Sequence, residues 1–275
     1  RWFPDLTNLN NLSYLSGIIL LFAGVEVQAV HATEMENPKK QYPLAIFISA
    51  IIVFALFTFG SLAIAAVVPN SQLQLESGLM QALSTMLKSV KMSWALPVLA
   101  FCVAFGSLAG VLSWISGPSK GLLSTAKEGI LPEKLAETTK TGAPKNMMLI
   151  QGIIVTILAC LYFVMKDVSV AFFLLSALTV AVYIIMYLLM YAAAIVLRKK
   201  QPNLERPYKA PALPVIAGIG IFAALVGLVL SFVPPAQLPI GNPASYIAIV
   251  AVGTVGFVVI PLIIAEARRA KIKQN

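Results

Sequence analysis

The chain has 275 residues, 59% of them hydrophobic and 11% charged, with a mean hydropathy of +0.88. Soluble domains carry about 25% charged residues, so this composition excludes a soluble globular fold. The net charge of +9 invites a nucleic-acid reading, but the basic residues sit in loops between apolar spans, as in membrane proteins.

Taking about 20 apolar residues per membrane helix, seven spans are expected, near 12–34, 44–68, 94–116, 147–165, 168–197, 213–233 and 245–265. The expected architecture is therefore an all-α polytopic membrane protein, treated as one region over 1–275. The first span holds the most informative feature. Phe22-Ala23-Gly24-Val25-Glu26 puts a glycine break and a carboxylate in the middle of an apolar helix. A carboxylate at that depth is costly and normally faces a cavity or a partner. A broken helix frees backbone groups, which survive only against protein or water-filled space. The first helix is thus expected to be discontinuous near Ala23–Val25. The half-helix beginning near Gly24 would offer free N–H groups and a positive dipole end, suited to a carboxylate. Glu26 then reads as a proton-sensitive gate or substrate contact, against the plainer reading of a structural carboxylate bonded to a neighbouring helix. His31 follows it by five residues, about 140° around an α-helix, and reads as a plain residue at the end of the span.

The second span, 44–68, carries no charge. The polar stretch 76–90 is expected to form a short helix on one surface. In the third span, Gly106-x-x-x-Gly110 allows close helix packing. Trp114 there is either a pocket aromatic or an interfacial belt residue. The fifth span repeats Tyr183, Tyr187 and Tyr191 every four residues, on one face, for substrate contact, pathway closure or inter-helix packing. In the sixth, Gly218-x-Gly220-x-x-Ala223 mimics a dinucleotide fingerprint, but no strand precedes it and no acidic residue follows about 20 positions on, so it is rejected. Cys102 and Cys160 lie inside apolar spans and imply no disulfide framework. His31 is the only histidine, so no protein zinc site is expected. No cofactor and no catalytic set is read, hence no enzyme.

Sixteen of the 20 Lys and Arg residues fall in one set of loops, leaving Arg1, Lys88, Lys91 and Lys166 opposite. The positive-inside rule then puts the N-terminus outside and the C-terminus in the cytoplasm. The chain opens on Arg1, without Met, and 1–11 reads as an external loop, so at least one further span is expected upstream.

Three motifs carry a family resemblance. Gly24-Val25-Glu26, Glu34, Asn37-Pro38-Lys39-Lys40 and Tyr42-Pro43 resemble the sixth helix of the amino acid–polyamine–organocation transporters. Gly106-Ser107-Leu108 with Ala126-Lys127-Glu128-Gly129-Ile130-Leu131-Pro132 resembles the eighth helix and its cytoplasmic extension. Arg206-Pro207-Tyr208-Lys209-Ala210-Pro211 resembles the loop before the eleventh. The resemblance covers essentially the whole chain and implies helices six to twelve of a twelve-helix inverted-repeat protein. Helices one to five would then be supplied upstream, and this chain alone is not expected to transport.

Within that family, Val27-Gln28-Ala29-Val30-His31-Ala32-Thr33-Glu34-Met35 resembles most the bacterial glutamate/γ-aminobutyrate antiporters of acid resistance. The resemblance implies a small amino acid substrate, a bilayer partner, no nucleic acid, and a bacterial inner membrane location. It assigns substrate-binding or gating roles to Leu20, Phe22, Ala23, Gly24, Glu26, Trp114, Tyr183 and Tyr187. Leu20 stands where the arginine/agmatine branch has Trp; it is either a lid suited to substrates without a guanidinium or an ordinary core or lipid-facing Leu. A proton symporter or an antiporter for another amino acid or polyamine remains an alternative. So does a seven-helix receptor, which would leave the Asn37-Pro38-Lys39-Lys40 and 206–211 loops unexplained.

Overall fold

The computed structural model describes residues 12–69, 72–74, 77–165, 167–206, 208–235 and 241–274. The expected external loop 1–11, Glu76 at the start of the surface stretch, Lys166, and Pro207 of the third motif lie outside the described residues.

The described chain is helical throughout. α1 (Tyr14–Phe22) is followed by a 3-10 helix (Glu26–Glu34), here called the inner arm, and then by α2 (Pro38–Val67). α3 (Gly78–Ser89) is the short polar helix, and α4 (Leu96–Lys127) is entered through a 3-10 turn at Ser93–Ala95. A second 3-10 turn, Glu133–Ala136, leads to α5 (Lys145–Ala159). The helix yields at Cys160 and resumes as α6 (Leu161–Val164). α7 (Val168–Lys200), α8 (Leu213–Ser231) and α9 (Pro243–Gln274) complete the chain.

Six helical segments are long and apolar enough to cross a membrane, at Pro38–Val67, Ser93–Lys127, Lys145–Val164, Val168–Lys200, Leu213–Ser231 and Pro243–Ala270. The seventh expected span, 12–34, is not one helix. It is a nine-residue α-helix and a nine-residue 3-10 helix on either side of a turn. Its second half was expected as a continued helix of the ordinary kind. It winds more tightly because Glu26–Glu34 is polar and has no apolar stripe at α-helical spacing.

α2 is apolar on every side and buries none of its residues. With backbone bonding closed within the body of the helix, such a surface suits lipid or further protein. α7 starts where the Asp167 carboxylate accepts hydrogen bonds from the backbone N–H of Ser169 (2.8 Å) and Val170 (3.2 Å). It ends on Arg198, Lys199 and Lys200, cations that favour a helix C-terminus.

The chain divides into two compact units, and the border falls inside the first span. In the unit that includes α1 and α7 to α9, α7 is central, with α8, α9 and α1 against it and α1 also against α8. Leu174, Ala177, Ala181, Tyr246 and Val250 form its core. In the other unit α4 receives the inner arm, α3 and the Glu133–Ala136 turn. Its small core joins Leu123, Ala126, Leu131 and Met147, and Ser119 donates to Gln151 Oε1 at 2.9 Å. Gly106 and Gly110 were expected to receive a neighbouring helix, yet a Cβ on either would meet open space among the described residues. Close approach to α4 occurs lower, at Gly117 and Gly121.

Candidate functional site

The break lies at Ala23–Val25, and its cause is local. Gly24 adopts φ +97°, a left-handed value that leaves the α-helical path and is open to glycine because it has no Cβ. Phe22, the last residue of α1, is half-exposed; Ala23, Gly24 and Glu26 are partly buried. Glu26 is the first residue of the inner arm. Leu20 lies on α1, and its side chain is outside the described residues.

α1 is held by a socket. Gly227 of α8 leaves room for Ile19, and a Cβ on that glycine would stand 2.2 Å from Ile19 Cδ1 and 3.1 Å from Ile184 Cδ1. Val180, Ile184 and Ala224 form the buried floor. Ile19 and Ile184 are direct neighbours in sequence of Leu20 and Tyr183, so the end of α1 is seated beside the tyrosine helix. On that helix Tyr183 and Tyr187 meet edge to face with ring centroids 5.2 Å apart, and Tyr187 and Tyr191 are 6.4 Å apart. Tyr191 is seated in turn on Gly220, where a Cβ would lie 2.7 Å from its Cζ. Gly220 of the Gly218–Ala223 pattern thus makes room for a ring.

Glu26 and Trp114 fall in the other unit. Trp114 is half-exposed and lies well inside α4, which continues to Lys127. The inner arm also brings together groups the sequence did not pair. Glu34 accepts a hydrogen bond from Lys120 of α4, and its other oxygen lies 2.8 Å from His31 Nδ1. Lys120 Nζ is 3.3 Å from the same Nδ1. The spacing of His31 and Glu34 is a possible signal, but Lys120 lies 86 residues further on and no local pattern points to it.

A cavity of about 60 Å³ adjoins α1, with Ser13, Ser16, Ser176, Ser231 and the edge of Tyr246 among its lining. None of the residues singled out from the sequence lines it. Two of its hydroxyls are engaged by their own helices: Ser16 Oγ donates to Ser13 O at 2.6 Å and Ser231 Oγ to Leu228 O at 2.7 Å.

The third motif is a helix stop. Arg206 donates to the carbonyls of Leu197 (3.0 Å), Gln201 (2.9 Å) and Leu204 (3.1 Å), and Arg198 donates to Ala210 O at 2.9 Å. The guanidinium fork adds second hydrogen bonds to the Leu197 and Gln201 carbonyls, which already accept from the backbone N–H of Gln201 and Leu204, and so fastens the loop to the end of α7.

The amino acid permease family model matches residues 1–257, and the chain belongs to that family. With six apolar helices of membrane length, it is a multi-pass membrane protein. It is 38% identical over 269 residues to an uncharacterized transporter of Legionella pneumophila, covering 96% of this chain and 58% of that protein. It is 36% identical over 270 residues to a glutamate/gamma-aminobutyrate antiporter of Lactococcus lactis, covering 96% and 54% respectively. To a probable agmatine/putrescine antiporter of Lactococcus lactis it is 26% identical over 234 residues, covering 82% and 49%. These relatives are named as transporters, not enzymes. The chain spans a little over half the length of the first two.

Proposed function

We propose that this chain forms part of a secondary active amino acid antiporter that exchanges external glutamate for internal γ-aminobutyrate by alternating access. The observation that carries the reading is the interrupted first span, with Gly24 at φ +97° and Glu26 opening the inner arm. A discontinuous helix is how transporters of this kind expose backbone groups to a substrate at mid-membrane. The substrate pair is supported by the 36% identity to an antiporter named for it, against 26% for one named for agmatine and putrescine. Both proposed substrates carry a carboxylate, which the start of a half-helix favours.

In this proposal Gly24 shapes the break. Glu26 takes part in proton-sensitive gating, while Phe22, Ala23 and Leu20 flank the substrate. Trp114, Tyr183 and Tyr187 close or line its path. Helices supplied upstream complete the site. The membrane is the bacterial inner membrane, with the basic loops in the cytoplasm. Exchange followed by decarboxylation of the imported glutamate would consume a cytoplasmic proton, which suits acid resistance.

The test is counterflow of labelled glutamate at acidic pH into proteoliposomes holding the whole transporter that contains this segment. The internal panel is γ-aminobutyrate, agmatine, cadaverine and alanine. Uptake is expected against γ-aminobutyrate. Exchange with agmatine or cadaverine in its place would overturn the substrate pair and keep the transporter assignment.

A further inference from the structure

In a 3-10 helix residues three apart eclipse one another. Val27 and Val30 therefore form one row on the inner arm, and His31 and Glu34 form the next. α4 meets both rows. A Cβ on Gly117 would lie 2.8 Å from Val27 Cγ1, and one on Gly121 would lie 3.3 Å from Val30 Cγ1. These glycines, four apart and so on one face, form a groove that takes the apolar row. Lys120, between them in sequence, meets the polar row and bonds Glu34 while approaching His31 at 3.3 Å. His31 Nδ1 cannot donate to Glu34 and accept from Lys120 at once, so the two contacts compete for one nitrogen.

We propose that Lys120, Glu34 and His31 form a latch that holds the inner arm on α4 and that releases and re-forms in each exchange cycle. The proposal rests on the antiporter reading above. The side chains are wet: Lys120 is 41% exposed and Glu34 56%. Water and salt compete with such a pair, so it opens at little cost. The glycine groove sets the register on closing, since the valine row fits only where Cβ atoms are missing. The turn at Ala23–Val25 lets the arm move without dragging α1, which has its own socket at Gly227. Lys120 and Glu34 are positioning residues here; neither is placed in contact with substrate.

The experiment uses the whole transporter with Cys102→Ala and Cys160→Ala, adding Glu34→Cys and Lys120→Cys. A short, reducible bifunctional thiol reagent is applied in membranes. Bridging is expected at high yield and is read on a gel. Exchange should stop on bridging and return on reduction. Absence of bridging, or full exchange by the bridged protein, would overturn the latch. A second pair of measurements reads the charge. Glu34→Lys and Lys120→Glu should each slow exchange about two- to fivefold, the scale of an exposed ion pair. The double swap should recover most of the loss, and a swap no faster than either single variant would overturn the pairing. A parent protein that exchanges no amino acid would overturn the antiporter reading instead. Bridging yield would still decide whether the contact exists.

Discussion

The two halves of the first span were expected to be one interrupted helix, and they are held in opposite ways. α1 is a nine-residue α-helix seated through Ile19 in a dry socket of Gly227, Ile184 and Ala224. The inner arm is a nine-residue 3-10 helix held by a half-exposed lysine and two glycine seats. They also belong to different compact units. A buried apolar seat loses contacts and leaves a void when vacated, so it resists opening. A wet ion pair gives up little, because water replaces each partner. The difference makes α1 the fixed half of the span and the inner arm the half suited to move.

Four substitutions test that contrast. Gly24→Val should be the most damaging, because a β-branched residue at φ +97° costs about 1–3 kcal/mol of backbone strain and either straightens or misfolds the turn. Glutamate exchange should fall roughly tenfold or more at matched protein yield, by the scale on which about 1.4 kcal/mol is tenfold in rate. Near-normal exchange would deny the turn any part in transport. Glu26→Gln removes the carboxylate at the head of the inner arm. Exchange measured across acid and neutral pH should become less pH-dependent while the protein remains monodisperse in detergent; an unaltered profile would take Glu26 out of the gating.

The remaining pair compares the seats directly. Gly227→Ala places a methyl against Ile19 and Ile184, and overpacking of a buried site costs about 1–3 kcal/mol. Thermal unfolding in detergent should move down, and adding Ile19→Ala should recover part of the loss. A variant as stable as the parent would mean the socket is loose. Among the described residues, the methyl of Gly117→Ala meets only Val27 of the inner arm. That arm can lift from α4, so unfolding should shift less than for Gly227→Ala, and the change should appear in exchange rate. A larger stability loss at Gly117 than at Gly227 would reverse the assignment of fixed and movable halves.

Much of this was legible before any coordinates. Residues 38–67 are apolar at nearly every position, which in a helix leaves no polar face and implies lipid or protein all round. Gly24 beside Glu26 in an apolar span marked the break, since lipid tolerates neither an open backbone nor an idle carboxylate. The tyrosine ladder followed from a four-residue repeat. The glycines were harder to read. Gly106-x-x-x-Gly110 has the usual packing pattern and packs against nothing among the described residues. Gly220 and Gly227, part of no accepted motif, seat Tyr191 and Ile19. A glycine's spacing says that a groove exists, not which side chain fills it.

Composition and local pattern were thus enough for the class of protein, the helices and the place of the break, because the membrane's demand for apolar surface and closed backbone bonding acts on each segment alone. The Ile19 socket, the glycine seats under Val27 and Val30, and the Lys120–Glu34–His31 cluster were decided by tertiary structure. Each depends on residues far apart in sequence, and the energy of such a contact exists only once the fold has brought them together.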